Sequence, residues 1–495
     1  MPENDSDTNS DVLQLFLHAA DQHPDAVAVI DRAGSTTYAQ LRDHAWGVAA
    51  ALGPGPGTVG VLTDRSASTV AALLGVLAVD GTYCPIDPSF SAERKRLLAE
   101  SAQCRTVIAT EPSPQPIGVP LLGPHFPDGT AHPMGLEPVA PAYLLFTSGS
   151  TGKPKPVITP RTAIAAAVDS LARLFDVRPG DRVLQFASLN WDTSLEEILP
   201  TLTSGATLVF DDEAYAGSLP RFLRMLDRLR ITVLDLPTAF WHELVHHLTE
   251  ADGTELPESV RTVVIGGEAT SPARLDNWRR LSGADRIRLV NTYGCTETTL
   301  VTHAADLYGP RARPQAEAAA PIGRALPHVR ELIGEDSELL IGGPALAVGY
   351  LGLPEDTAER FLTLAAGRYF RTGDRVRRGA DGELHHEGRL DDQIKVRGIR
   401  VDPAEVEAQL CAHPAVTSAA ATGVPVGDHT TVVAYVTPSA RASWDELVVE
   451  LRAHLRQHSP SHLRPNRITV VPELVHTASG KVDRRRTHQR YATGS

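Results

Sequence analysis

Residues 143–156 read YLLFTSGSTGKPKP. Residues 143–146 are apolar and aromatic, as in a buried strand, and they run straight into hydroxyls, glycines and a lysine. Glycine lets a backbone fold tightly enough for several N–H groups to converge on one anion. Ser and Thr hydroxyls add donors and Lys153 adds charge, so a nucleotide phosphate suits the loop. It is not a Walker loop, which needs four residues between its glycines and a Ser or Thr after its lysine. Here two residues separate Gly149 from Gly152, and Pro154 follows Lys153. On composition alone, a flexible Ser/Gly surface loop is an equal reading.

Working outward, short apolar runs recur on both sides of this stretch. VGVLTD reads as a buried strand and STVAALLGVLAVDG as the helix after it. RVLQFA, ATLVFD, ITVLDLP and RTVVIGG follow the same plan, each beside a segment of helical spacing. That alternation predicts an α/β fold with mostly parallel sheets. Near residue 375 the texture changes. RVRRGADGELHHEGR reads as a hairpin turning at ADG, QIKVRGIRVD as strand, glycine, strand, and PAEVEAQL as a helix with Pro403 in its first turn. The expected organisation is a large α/β region of several subdomains over 1–390 and a small mobile α+β domain over 391–495.

A chain of 495 residues exceeds one compact domain. Its formal net charge of -13 argues against a nucleic-acid partner. Cys84, Cys104, Cys295 and Cys411 are scattered, with no CxxC, so neither a disulfide framework nor a cysteine zinc site is expected. The first residues, MPENDSDTNSD, lack the basic start and apolar core of a signal peptide, and the apolar run around 70–79 is too short to span a membrane. The expectation is a soluble cytoplasmic protein.

Seven segments, in order along nearly the whole chain, resemble the motifs of the adenylate-forming superfamily, which includes acyl-CoA synthetases, luciferases and the adenylation domains of nonribosomal peptide synthetases. They are TTYAQLRDHA, LAVDGTYCPIDP, the loop at 143–156, NTYGCTETT at 291–299, YFRTGD at 369–374, GRLDDQIKVRGIRVDPAEVE at 388–406 and SGKVDRRR at 479–486. TYCPIDP and GKVDR resemble the peptide-synthetase branch. The resemblance implies ATP and Mg²⁺ as cofactors. It also implies two half-reactions: a carboxylate displaces pyrophosphate from ATP, and a carrier protein's phosphopantetheine thiol then takes the acyl group.

By the same resemblance, Thr147, Ser148, Gly149, Ser150, Thr151, Gly152 and Lys153 hold the β- and γ-phosphates. Thr296 meets the α-phosphate, and Glu297 binds Mg²⁺, which takes oxygen ligands. Asn291, Thr292 and Tyr293 form the adenine site beside Gly267, Glu268 and Ala269. Asp374 accepts the ribose hydroxyls, with His386 and Arg389 nearby. Lys481 is the catalytic lysine, bridging substrate carboxylate and phosphate. Asp391 is the hinge, and Gly398 faces the carrier. The sequence departs from the family pattern at Pro156, Cys295, His386 and Val348, where glycine, proline, an aromatic residue and arginine are frequent.

NWDTSLEEIL at 190–199 aligns with one wall of the family's substrate pocket. The resemblance makes Asp192 the partner of a substrate α-ammonium, and hence the substrate an amino acid. The other pocket positions are Thr193, Glu196, Asp235, Val264, Gly266, Thr292, Leu300 and Val301. Two buried acids, Glu196 and Asp235, need a counter-ion. A cationic amino acid is therefore expected: lysine, ornithine, a short diamino acid or β-lysine, with arginine next. Glu197 is read as solvated. The competing reading turns Glu196 outward and makes Asp235 a turn cap.

The chain ends soon after the lysine motif and shows no carrier serine motif. A free-standing enzyme that loads a carrier in trans is expected, an excised domain being the alternative, and an MbtH-like helper is left open. The rival functions are an acyl- or aryl-acid CoA ligase and a non-catalytic nucleotide-binding homologue. His242-Glu243-x-x-His246 has the spacing of a zinc peptidase helix, but its apolar neighbours read as an amphipathic core helix.

Overall fold

The computed structural model describes residues 11–492 except 111–116, 124–125, 127–138, 148–153, 251–254, 314–316, 318, 392, 397–398, 428, 440–443 and 477–481. The chain divides into two compact units. The larger takes the described residues of 1–145 and 156–388, the smaller those of 146–155 and 389–495.

Among the described residues the larger unit holds a nine-stranded sheet. Six neighbouring strands are parallel, in the spatial order Val27–Asp31, Thr207–Val209, Arg182–Leu184, Val233–Pro237, Thr262–Gly266 and Arg288–Gly294. Their Val-, Leu- and Ile-rich runs suit strands covered on both faces. Gly34–Thr37 closes one edge antiparallel, and Val301–Tyr308 turns back beside Arg288–Gly294. Register places Asp235 beside Val264, and Gly266 between Pro237 and Thr292. Asp235, Gly266 and residues 291–293 thus gather toward the carboxyl ends of adjacent parallel strands, where open α/β sheets bind ligands.

A second sheet runs Gly349–Tyr350, Lys155–Pro160, Pro141–Thr147, Thr82–Ile86, Thr58–Leu62, Thr106–Ala109, Leu121–Leu122. The strand Pro141–Thr147 lies parallel to Thr82–Ile86 and leads to the phosphate-loop sequence. Beside these strands the helix Ala67–Ala78 buries every residue but Ser68, as its uninterrupted apolar sequence requires. An antiparallel sheet carries Asp374 on its long strand Gly367–Arg378, which pairs with Leu384–Arg389 through the expected hairpin.

In the smaller unit, Val416–Val426 and His429–Pro438 pair antiparallel, and Arg467–Val470 adds a parallel strand. The helices Pro403–Cys411 and Trp444–His458 supply Val406, Leu410, Leu447, Leu451 and Leu455 to a core shared with Val432 and Val436. This is the α+β texture read from the sequence. Among the described residues no helix is long and apolar enough to cross a membrane.

Candidate active site

Asp192 caps the helix Thr193–Thr203 and accepts the Thr193 N–H at 3.0 Å. Four residues on, Glu196 shares its face and is buried at 8% exposure. Asp235, at 6%, comes from the strand Val233–Pro237, and its Oδ2 has no hydrogen-bond partner among the described residues. Burial pushes the Glu196 carboxyl well up, and the charges of Asp235, Asp192 and Glu197 add to it. Burial alone raises Asp235 to about 7. Asp192 is raised by burial, against the opposing Thr296 hydroxyl and Thr193 N–H, with the Glu297 charge adding to the rise. Among the described residues no Lys, Arg or His forms an ion pair with any of the three. Glu196 therefore does not turn outward, and Asp235 lies in a strand rather than capping a turn.

Glu197 corrects the sequence reading. It is 1% exposed, not solvated. One helical position turns it away from Glu196 and toward the chain after the strand Arg182–Leu184. There it accepts Gln185 Nε2 at 2.7 Å, the Phe186 N–H at 2.8 Å and the Ala187 N–H at 3.0 Å. Burial and the Asp235 charge push its carboxyl up while these donors oppose the rise. Glu197 fastens the helix to the sheet. Adjacent glutamates thus have opposite roles: one is partnered by two backbone N–H groups and a glutamine amide, the other is left facing acids.

The remaining pocket positions come from neighbouring strand ends. Val264, Leu300 and Val301 are buried and apolar. Thr292 donates its hydroxyl to the Ile265 carbonyl at 3.0 Å. A Cβ on Gly266 would meet that same hydroxyl at 2.5 Å, so the two strands approach this closely only around glycine. Thr299 and Leu300 both adopt the left-handed region, at φ 56° and 66°. That is costly for a β-branched residue, and it turns the chain into Val301–Tyr308.

Toward the nucleotide positions, Asn291 donates Nδ2 to the Pro321 carbonyl at 2.7 Å, which leaves its buried Oδ1 without a partner among the described residues. A lone amide acceptor suits the amino group of adenine. The Tyr293 hydroxyl donates to Asp374 Oδ2 at 2.7 Å, and His386 Nε2 donates to Oδ1 at 3.0 Å. Glu338 accepts the Gly373 N–H at 3.0 Å and so fixes the turn that presents Asp374. Glu297, 1% exposed, receives the Tyr350 hydroxyl on Oε1 at 2.8 Å. A buried carboxylate of this kind fits Mg²⁺, which takes one or two protein oxygens and keeps phosphates and waters for the rest. Thr193, Gly267 and Glu268 are half-buried and Ala269 is exposed. Thr147 ends its strand buried. Arg389 clasps Asp391 through two bonds of 2.6 and 2.8 Å and reaches Gln393 at 3.0 Å. Ser148, Gly149, Ser150, Thr151, Gly152, Lys153, Gly398 and Lys481 lie outside the described residues.

Of the two histidines in the zinc-like spacing, one packs into the core and the other is exposed. His242 is buried, its Nε2 accepting the Ser271 N–H at 3.0 Å beside Trp241. His246 pairs with Glu250 at 3.3 Å. Among the described residues no group of three or more His, Cys, Asp or Glu is placed to hold a metal ion.

The fold, with its parallel sheets and smaller α+β unit, is that of an adenylate-forming enzyme. Residues 16–351 match the AMP-binding enzyme family and residues 405–481 the AMP-binding enzyme C-terminal domain, so the chain belongs to that family. ATP and Mg²⁺ are the family's cofactors. The isonitrile lipopeptide synthase of Streptomyces coeruleorubidus is 41% identical over 495 residues, covering 96% of this chain and 33% of that protein. The chain spans about a third of the length of such curated relatives. Amide bond synthetase McbA from Marinactinospora thermotolerans superposes with a TM-score of 0.84 at 28% identity, covering 97% of this chain and 100% of that one. Holo-PA1221, a nonribosomal peptide synthetase protein containing adenylation and PCP domains, gives 0.80 at 26%, covering 97% and 84%.

Proposed function

We propose that the protein activates a cationic α-amino acid as its aminoacyl adenylate and passes it to the phosphopantetheine thiol of a carrier protein. One observation carries the substrate class: buried Glu196 and Asp235 and half-buried Asp192 bear on one another's charge, with no cation paired to them among the described residues. Several uncompensated carboxylates in one apolar space repel each other and lose hydration. A substrate with two ammonium groups relieves both costs. Asp192 takes the α-ammonium. Glu196 and Asp235 take the side-chain cation of lysine, ornithine, a shorter diamino acid or β-lysine, with arginine next.

The chemistry is charge management. The substrate carboxylate attacks the α-phosphorus of ATP and pyrophosphate leaves. The thiol sulfur then attacks the acyl carbon and AMP leaves. Negative charge crowds the first transition state, so donors and cations already in place contribute most. Thr296 and the hydroxyls and lysine of 147–153 are assigned to the phosphates. Asn291, Tyr293, Asp374 and His386 are assigned to the nucleoside, and Lys481 to the bond being made. Mg²⁺, assigned to Glu297, supplies charge neutralisation on the phosphates. We assign 1–390 to the adenylation core and 391–495 to the lid. Pairing of adenylation with PCP domains in the neighbour above supports a carrier partner, and an MbtH-like helper is a candidate addition to the assay.

Amino-acid-dependent ATP–pyrophosphate exchange tests this reading across the standard amino acids, ornithine, diaminobutyrate, diaminopropionate and β-lysine, with and without a helper. Selective exchange with a cationic member supports it. Exchange with neutral amino acids alone removes the cationic assignment, and no exchange with any amino acid removes the amino-acid one.

A further inference from the structure

Tyr143 belongs to no substrate position read from the sequence, yet among the described residues its hydroxyl is the one tyrosine oxygen that is fully buried without a hydrogen-bond partner. The side chain is 2% exposed and its oxygen has no hydrogen-bond partner among the described residues. The corresponding groups of Tyr38, Tyr293 and Tyr350 all reach an acceptor. A buried phenol without a partner forfeits the hydration it had in the unfolded chain, so the position calls for an explanation. Thr159, whose own buried hydroxyl also lacks a partner in hydrogen-bond geometry, stands close by. Asp192 and then Glu196 are the charges that bear on Tyr143. Tyr143, on the strand Pro141–Thr147, is thus within electrostatic range of both acids.

We propose that Tyr143 is a substrate-positioning residue whose hydroxyl oxygen accepts a hydrogen bond from the α-ammonium that Asp192 holds. An ammonium carries three N–H donors directed about a tetrahedron, and one carboxylate cannot take them all. Asp192 already spends an oxygen on the Thr193 N–H. A neutral oxygen completes the shell without adding a fourth negative charge to a lining already short of cations. Its strand continues into the phosphate-loop sequence, so the residue that registers the amino group is joined by backbone to the segment assigned to the phosphates. The inference rests on the amino-acid reading above but not on its cationic part, because every α-amino acid carries this ammonium.

Tyr143→Phe removes one oxygen and keeps the ring that fills the core. The full-length protein is assayed by exchange for the KM of the best amino acid, the KM of ATP and kcat, together with its Tm. The expected result is an amino-acid KM raised about tenfold, the worth of one hydrogen bond to a charged group. ATP KM and kcat stay within about twofold, and Tm is unchanged or higher because an unpartnered buried hydroxyl has gone. An unchanged amino-acid KM overturns the proposal. So does a lowered Tm with both KM values rising together, which would make the hydroxyl a structural partner of Thr159. A wild-type protein that exchanges only neutral amino acids overturns the cationic reading and leaves the Tyr143 result to be judged by the same KM split.

Discussion

Replacing Asp235 by asparagine sets folding against binding. Burial raises the Asp235 carboxyl from 3.8 to about 7. Between those values the folded protein keeps a proton that the unfolded chain has lost. The contribution of Asp235 to stability is therefore most favourable below pH 3.8, falls as pH rises through the window, and is least favourable above about 7. At 1.36 kcal/mol for each pH unit, the whole window corresponds to about 4 kcal/mol. Asparagine carries no charge at any of these pH values. Asp235→Asn is thus expected to stabilise the ligand-free protein at pH 8 by between about 1 and 4 kcal/mol, the smaller figure holding where Glu196 takes part of the proton. At pH 5 the gain is less than half as large. Exchange with a cationic amino acid should meanwhile lose at least about a hundredfold in kcat/KM, the worth of a desolvated charge pair with one partner removed. Urea unfolding at pH 5 and pH 8, beside exchange kinetics, checks both halves. A variant less stable than wild type at pH 8, or one that keeps wild-type kcat/KM for a cationic substrate, refutes the account of Asp235.

Other outcomes follow from the same geometry. The KM for a cationic substrate should fall as pH rises through about 7, because Asp235 must lose its proton to pair with the ammonium; Asp235→Asn should flatten that profile. Glu196→Gln should cut kcat/KM for the cationic substrate at least about tenfold and raise exchange with glutamine or norleucine, since one uncompensated charge is gone. Glu197→Ala should act on stability instead, lowering it by about 2–4 kcal/mol in a denaturation curve, because three donors lose their acceptor in the interior. Its amino-acid KM should stay within about twofold, so a large KM change with full stability would contradict the structural role given to it.

Local features of the sequence were the readable ones. Strand–helix alternation announces the parallel sheet because each element carries its own period. The spacing of Asp192 and Glu196 places two acids on one helical face before any packing is known. What was unreadable depends on partners far along the chain. Nothing local distinguishes Glu197 from Glu196; the difference is the backbone of Phe186 and Ala187, which only the fold brings to one side of the helix. The Tyr350 hydroxyl reaches Glu297 across 53 positions, and Tyr293 reaches Asp374 across 81. The same holds for His303, fully buried between Thr302 at 2.9 Å and Glu331 at 2.6 Å. The histidines at 242 and 246 show the converse: a spacing that suits a metal is met by a helix whose apolar face goes to the core.

The central claim is that buried carboxylates select a positive charge at the far end of the substrate. Ornithine and norleucine differ there by an ammonium in place of a methyl group, as lysine and 2-aminoheptanoate do one carbon longer. The ratio of their kcat/KM values in ATP–pyrophosphate exchange isolates that charge from length and shape. The account predicts that the cationic member of the better pair is favoured by at least about a hundredfold. Equal rates, or a preference for the neutral isostere, would contradict it.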